Sequence, residues 1–155
     1  WASYVDDNGG TLRSPTDTLF ERAMDEILLE GGEDVDLLVT THGVSRAYAA
    51  GLKDDKRYSN TIDLKGGFKA LSVTAGRKEV GLLADRDCPE NQAFLLNTNH
   101  ITHFVNSDWE WMDKDGAILS RVANTDAYEA TFYKRSELAT DKRNAHGKVV
   151  DLSVA

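Results

Sequence analysis

The sequence predicts a fold of the α+β class, with helices in the first third of the chain and short strands in most of the rest. Apolar residues recur every three to four positions between residues 15 and 52, as on one face of a helix. From Asn60 onward that spacing is lost, and glycines separate short apolar runs that are typical of strands. With 155 residues, 41% of them hydrophobic, we expect one or two compact units.

The first predicted helix has clear start and stop signals. Ser14 is expected to be the N-cap, Pro15 the first helical residue and Asp17 an acid in the first turn. The helix should run to Glu30 and end at Gly31-Gly32. Its predicted apolar stripe consists of Leu19, Phe20, Ala23, Met24, Ile27 and Leu28.

A strand and a second helix follow and form a β-α unit. Residues 35–39 are an apolar run of strand length, and Thr40-Thr41 can cap the helix that comes next. The helix should present one apolar face, made by Val44, Ala47, Tyr48 and Leu52. The charged segment 53–57 is interpreted as a solvated loop.

The second half of the chain is predicted to be mostly β. Residues 85–89 contain a proline and several acids, so they should break the preceding strand at an edge of the sheet. Residues 97–100 are predicted to be a short turn and residues 141–147 a polar loop. The predicted strands are 70–74, 80–84, 93–96, 128–133 and 149–152.

The most distinctive stretch is a ribbon with two tryptophans. Trp109 and Trp111 alternate with acidic residues at the period of a strand, and Asp115-Gly116 supplies a turn before the apolar run 117–119. We therefore predict a hairpin that turns at Asp115-Gly116. Large aromatic side chains on one face of a ribbon suit either a core or a contact with another subunit.

Composition excludes several classes of function. The formal net charge is −8, so the summed field repels phosphate backbones and anionic membranes. Cys88 is the single cysteine, which excludes an internal disulfide and fits a reducing cytosol. The first residues contain no export signal, and no apolar run is long enough to span a membrane. Because residue 1 is Trp, we expect the chain to begin inside a longer gene product.

No catalytic centre stands out in the sequence. His100, His103 and Asp108 could be imagined as metal ligands, but residues three apart on a strand face opposite sides. His42 and His146 are interpreted as ordinary surface or capping residues. The serines lack a nucleophile elbow, the glycine pairs lack a phosphate-binding pattern, and residues 113–116 fail as a calcium loop. We predict no catalytic residue, cofactor or metal.

Read in order, the segments resemble the C-terminal portion of tailed-bacteriophage major capsid proteins over nearly the whole chain. That family has a spine helix, an Asp-x-Leu-Val-Thr strand, an Ala-Tyr helix and an Arg-Tyr/Phe-x-Asn-x-x-Asp-Leu-x-Gly-Gly-Phe segment. It continues with an Asp-Arg/Lys-x-Cys-Pro element, a Leu-Asn strand end, an Asp-Trp-x-Trp and a Tyr-containing strand pair. The matching segments here are 36–40, Ala47-Tyr48, 57–68, 85–89, 95–97, 108–111 and 128–133.

The resemblance implies the coat fold that tailed phages share with encapsulin-like shells, also called the Hong Kong-type or Johnson fold. Residues 1–34 and 126–155 would form a discontinuous peripheral domain with the spine helix, and residues 35–125 an axial domain. The family also has an N-terminal arm and an extended loop before the spine helix. Both are expected to be absent from this chain, since nothing before Ser14 is long enough to supply them.

The same resemblance implies a structural role rather than catalysis. The chain is expected to self-assemble into pentamers and hexamers of an icosahedral phage or prophage capsid, with scaffolding or cementing proteins as further partners. This shell would enclose double-stranded DNA without binding it specifically, and would assemble in the cytoplasm of the bacterial host. The candidate subunit contacts are Trp109, Trp111, Lys114 and Arg121.

Two alternatives stay open at this point. One is a ring- or tube-forming phage tail or connector component, which could share the acidic surface and the high strand content. The other is a metal-dependent hydrolase that uses His100, His103 and Asp108. Closure of the assembly in three dimensions distinguishes a shell from a ring or a tube.

Overall fold

The computed structural model describes residues 2–54, 61–63, 69–75, 78–113 and 115–154. These residues form two compact units, of which unit 1 runs up to His100 and resumes at Asp141, and unit 2 is Ile101–Thr140. The unit boundaries differ from the boundaries predicted for the peripheral and axial domains. That domain assignment concerns the roles of segments in a coat fold and stays a prediction. Most of the capsid-like segment 57–68 lies outside the described residues.

Two helices pack on the sheet of unit 1. Helix α1 is Asp17–Gly31 and helix α2 is His42–Asp54, so both predicted helices are confirmed. Gly32 follows α1 in the left-handed conformation, with φ of 69°, and its backbone N–H donates to the carbonyl of Leu28. The predicted glycine stop is therefore confirmed.

The start of α1 differs from the sequence prediction. Thr16, not Ser14, is the N-cap, because its backbone is extended and its hydroxyl accepts a hydrogen bond from the Leu19 N–H at 3.3 Å. Pro15 is buried and lies before the helix rather than in its first turn. A threonine two residues after a serine competes for the same role, and the local sequence pattern does not separate the two.

Unit 1 contains a mixed sheet, in which the described residues contribute seven strands. Their spatial order is β1-β11-β6-β2-β5-β4-β3, with β1/β11 and β2/β5 parallel and the other pairs antiparallel. The strands are β1 Tyr4–Asp6, β2 Leu37–Thr40, β3 Thr61–Asp63, β4 Lys69–Ala75, β5 Lys78–Ala84, β6 Ala93–Leu96 and, after the two strand pairs of unit 2, β11 Gly147–Val149.

One prediction about this sheet is wrong. Residues 85–89 do end β5, but β5 lies between β2 and β4 and is not at an edge. The strand ends at Ala84, and the Asp85 N–H still donates a hydrogen bond to the Thr40 carbonyl of β2 at 2.8 Å. A proline just after a strand therefore marks where the strand ends but not its rank in the sheet.

The hydrophobic core of unit 1 lies between the helices and the sheet. Phe20 of α1 and Tyr48 of α2 meet edge to face at 5.7 Å, and the Tyr48 hydroxyl donates a hydrogen bond to Asp17. The apolar stripes predicted for both helices supply most of the helical side of this core. The fully buried members include Phe20, Ile27, Leu38, Val44, Leu82, Leu95 and Val149.

Unit 2 is built on a two-stranded antiparallel ribbon. Strand β7, Ile101–Trp111, pairs with β10, Phe132–Thr140, and the register places Trp111 opposite Phe132 and Ile101 opposite Thr140. A shorter pair, β8 Ser120–Arg121 with β9 Tyr128–Glu129, lies in the segment between them. We call the β7–β10 pair the ribbon.

The predicted hairpin is wrong in its pairing. A turn does occur at Asp115-Gly116, where both residues have positive φ. The apolar run 117–119 that follows this turn is nevertheless not a strand, and the tryptophan strand pairs with β10 instead. The predicted strand 128–133 is likewise split between β9 and β10.

Candidate assembly surface

The ribbon carries an exposed aromatic cluster. Phe132 stacks on Trp109 with ring centroids 5.1 Å apart, and it meets Trp111 at 4.8 Å. The exposed fractions are 61% for Trp109, 53% for Trp111 and 49% for Phe132. The three rings therefore hold one another in place while about half of the surface of each side chain, or more, faces solvent. We call these three residues the aromatic cluster.

A polar cluster lies on the other face of the ribbon. Glu110 pairs with Tyr133 one register step from the Trp111–Phe132 pair, and side chains of successive strand residues point to opposite faces. Glu110 accepts hydrogen bonds from the Ser107 and Tyr133 hydroxyls, each at 2.6 Å. These bonds lower the pKa of Glu110, and the bond to Glu110 raises the pKa of Tyr133. The Ser107, Glu110 and Tyr133 side chains are therefore hydrogen-bonded to one another.

A second carboxylate is held close to the aromatic cluster. Asp108 accepts a hydrogen bond from the Trp109 backbone N–H at 2.9 Å and lies 3.3 Å from the Lys134 ammonium. The backbone bond first, and Lys134 second, lower the pKa of Asp108, so this carboxylate is ionised at neutral pH. Charged groups of both signs, Asp108 and Lys134, thus lie beside Trp109 of the aromatic cluster. Such an arrangement favours binding of a complementary partner over nonspecific association.

Two of the four predicted contact residues come together in the structure. Trp109 and Trp111 share the aromatic cluster, and both are exposed. Arg121 is also exposed, but it lies in the β8–β9 pair opposite Tyr128. Lys114 lies outside the described residues. The assignment of all four to a subunit contact stays a prediction.

Phe132 completes the cluster and was missed by sequence reasoning. It belongs to the apolar stretch 128–133 that the sequence marks as a strand, but its pairing with Trp111 crosses 20 intervening residues. Further exposed apolar side chains occur in unit 2 at Phe104, Val105, Ile118, Leu119, Tyr128 and Leu138. An apolar surface of this extent on so few residues is typical of an interaction site.

The residues of the hydrolase alternative do not form a metal site. The Nδ1 atom of His100 lies 2.9 Å from Asp141, and the Nε2 atom lies 3.5 Å from Glu33. His103 is paired with Leu138 in the ribbon. Within the described residues there is no group of three histidine, cysteine, aspartate or glutamate side chains able to hold a metal ion. The hydrolase alternative therefore has no geometric support in this part of the chain.

Two further titratable residues are occupied in packing rather than chemistry. Burial, with a contribution from Asp85, raises the pKa of the Cys88 thiol and so disfavours the nucleophilic thiolate. His146, predicted as a surface or capping residue, is buried, and its Nδ1 accepts a hydrogen bond from the Asn97 N–H at 3.2 Å. Burial lowers the pKa of His146, which keeps its imidazole neutral. Neither residue has the environment of a catalyst.

No helix in the described ranges is both long enough and apolar enough to cross a membrane.

Comparison with solved structures identifies the fold. The chain superposes on a subunit of the holo-SrpI encapsulin complex from Synechococcus elongatus PCC 7942 with a TM-score of 0.66. The chain has the fold of an encapsulin shell protein. The match covers 99% of this chain at 16% sequence identity. It covers 54% of the encapsulin chain, so this chain spans about half the length of that protein. No protein-family model and no curated protein matches the sequence.

The encapsulin fold is the shell-type part of the predicted fold class, and this coarser prediction is confirmed. The tailed-phage form of the fold, with the N-terminal arm and the extended loop absent, stays a prediction. At this identity the comparison concerns the fold, and function has to be argued separately.

Proposed function

We propose that the chain is part of the structural subunit of a closed protein shell. The observation that carries this proposal is the superposition on an encapsulin subunit over 99% of the chain. Because the match covers 99% of the chain, it includes residues of both units. The proposed role is mechanical, and no residue is assigned to catalysis.

In this proposal the aromatic cluster is part of the contact between subunits. Aromatic side chains that are partly exposed bury a large area on association and lose few rotamers, so they dominate the energy of many interfaces. Trp109, Trp111 and Phe132 are already held in one arrangement in the single chain. This reduces the ordering cost that association would otherwise have to offset. Arg121 is proposed as a polar member of the same contact.

The finer form of the proposal is a major capsid protein of a tailed phage or prophage. It rests on the order of the capsid-like motifs along the sequence and on the net charge of −8. Heterologous contacts repeated around an axis would give the pentamers and hexamers of an icosahedral shell. An acidic subunit would not adhere to the DNA it encloses, which lets DNA move during packaging. Scaffolding or cementing proteins would be further partners.

Electron microscopy of the product of the complete reading frame tests the shell. Uniform closed particles are expected. Flat rings or tubes would instead favour a tail or connector component, and a protein that stays monomeric at high concentration would overturn the proposal. Particles from the native host, treated with nuclease before their contents are extracted, test the finer form. Protected double-stranded DNA supports a capsid, whereas protein cargo without DNA contradicts it.

The role of the aromatic cluster is tested by the double variant Trp109→Ala/Trp111→Ala. Its matched control is Leu29→Ala, which removes an apolar side chain that is 79% exposed on α1. We expect the double variant to have an at least about tenfold higher critical concentration for assembly, measured by light scattering, since a tryptophan pair that acts as a hot spot contributes about 1.4 kcal/mol or more. The control should assemble normally. Equal assembly of the two proteins would exclude the aromatic cluster from the contact.

A further inference from the structure

At the points where the chain enters and leaves the ribbon, unit 1 contains a group of titratable side chains that contact one another. Ile101 and Thr140 form the last backbone pair of the ribbon at this end, which we call its root. The next residues outward are His100 and Asp141, whose side chains meet with Nδ1 and Oδ1 2.9 Å apart. A side-chain pair therefore continues the ladder one step beyond the last backbone pair.

Glu33 joins both sides of the root. It follows α1 directly after Gly32, and its Oε1 atom lies 3.5 Å from the His100 Nε2 and 3.1 Å from the Lys142 ammonium. His100 precedes the strand that enters the ribbon, and Lys142 follows the strand that leaves it. One carboxylate thus links the entering segment, the leaving segment and the end of α1.

The segment before the root is itself held in place. Asp36 accepts hydrogen bonds from both the backbone N–H and the hydroxyl of Thr98, at 2.8 and 2.5 Å. The Asn97 N–H donates to the buried His146, and the Asn97 side-chain amide donates to the Asp34 carbonyl at 3.0 Å. The short turn Thr98–His100 is therefore held in place by hydrogen bonds other than those of His100.

Charge and exposure favour a working ion-pair network over isolated surface pairs. The exposed fractions of the His100 and Lys142 side chains are 20% and 31%, so both are sheltered. The pKa of Glu33 is lowered, mainly by Lys142 and further by His100, and the pKa of Asp141 is lowered by His100. Both carboxylates are ionised at neutral pH. Linked pairs that share a partner are stronger than single exposed ones.

We propose that Glu33, His100, Asp141 and Lys142 form a latch that holds the two segments at the root of the ribbon together. With the latch closed, the pairing of Ile101 with Thr140 is retained and the ribbon keeps its register from the root upward. With the latch open, the root pairs fray while the sheet of unit 1 stays folded. The latch is a conformational device of this chain and does not depend on the proposed shell function.

Hydrogen exchange followed by mass spectrometry tests the latch on the full chain. Asp141→Asn and Lys142→Gln each remove one latch charge, and neither side chain is fully buried, so both variants are expected to fold. We expect amides of segments 102–105 and 136–140 to exchange about threefold faster or more in each variant, with no change in β2 and β5. Asp87→Asn is the control, because it removes one member of the fully exposed Arg86–Asp87 pair elsewhere in unit 1.

Salt supplies a second measurement that a purely local packing effect would not move. At 1 M salt the screening length is about 3 Å, so the wild-type root should exchange faster while the Asp141→Asn root should respond less. Unchanged exchange at the root in both variants would overturn the latch. Acceleration spread evenly over unit 1 would also overturn it, because the substitutions would then act on global stability.

Discussion

The two units of this molecule use similar residues in opposite ways. In unit 1 the large apolar side chains, such as Phe20, Ile27 and Leu95, are completely buried between helices and sheet. In the ribbon Trp109 and Trp111 are larger still, yet they remain more than half exposed. A two-stranded ribbon has no second layer to cover it, so its apolar face stays in water unless another surface meets it. Whether a large aromatic side chain is buried or exposed therefore depends on the layer it lies in, not on the residue type.

The largest expected effect on stability is in unit 1. Replacing Phe20 by alanine removes a fully buried ring that touches Tyr48, and the free energy of unfolding should fall by about 3–5 kcal/mol. Leu29→Ala on the same helix is the matched control and should change it by less than about 0.5 kcal/mol. Urea denaturation measures both. A small effect at Phe20 would contradict the assignment of the core.

The buried carboxylate of unit 1 should come next. Asp6 accepts hydrogen bonds from the Arg13 and Arg22 guanidinium groups at 2.8 and 2.5 Å, and it is nearly inaccessible to solvent. Asp6→Asn leaves Arg13 without its charged partner and should cost about 3 kcal/mol in urea denaturation. The matched change in the ribbon, Asp108→Asn beside Lys134, should have a much smaller effect because the Asp108 side chain is 80% exposed.

Acidification should separate two contributions from unit 1. Burial lowers the pKa of His146, so its contribution is complete above about 6.5 and is lost as the pH falls through its lowered value. Burial alone would raise the pKa of Asp6, but hydrogen bonds from Arg22 and Arg13 outweigh it and lower that pKa. Its contribution is complete above about 3.8 and is lost at lower pH. Denaturation at a series of pH values should show both losses, and Asp6→Asn should lack the second.

A smaller effect distinguishes the two candidate caps of α1. Thr16→Ala should lower the free energy of unfolding by about 1 kcal/mol, because it removes the acceptor for the Leu19 N–H. Ser14→Ala should be close to neutral, since Ser14 does not cap the helix. The reverse result would restore the cap that the sequence pattern favours.

The smallest effect is expected within the ribbon. Tyr133→Phe removes one hydrogen bond to Glu110 on a solvated face, so the unfolding midpoint should not change within error. The pKa of Glu110 should rise toward its ordinary value, because one of the bonds that lower it is lost. NMR titration of the carboxylate measures this shift. An unchanged pKa would show that the polar cluster is not formed in solution.

Some features of the fold could be predicted from single segments of the sequence. Both helices follow from a period of three to four and from glycine or threonine at their ends, and the predicted strands 70–74, 80–84 and 93–96 lie within β4, β5 and β6. These features depend on contacts within a few residues, so the local pattern contains them. The alternation of Trp109 and Trp111 with acids likewise predicted a strand, but it left open whether the two side chains belong to a core or to a contact.

Other features of the fold and of the candidate site depend on contacts between segments that are distant in sequence. The local turn at Asp115-Gly116 predicted the wrong partner for the tryptophan strand, since Phe132 lies beyond two further short strands. Three other features also depend on residues that are far apart in sequence. They are the internal position of β5, the burial of His146 and the proposed latch of Glu33, His100, Asp141 and Lys142.

The amino-acid sequence by itself determined which segments of this protein are helices or strands and which faces are apolar, because backbone propensity and side-chain periodicity act over a few residues. Only the tertiary structure decided which strands pair, which apolar face is covered and which remains in water. Strand pairing brings together residues that are far apart in the chain. The register of a half-buried strand is specified by which of its faces is buried. That is why similar aromatic and aliphatic residues became a core in unit 1 and an exposed surface in the ribbon.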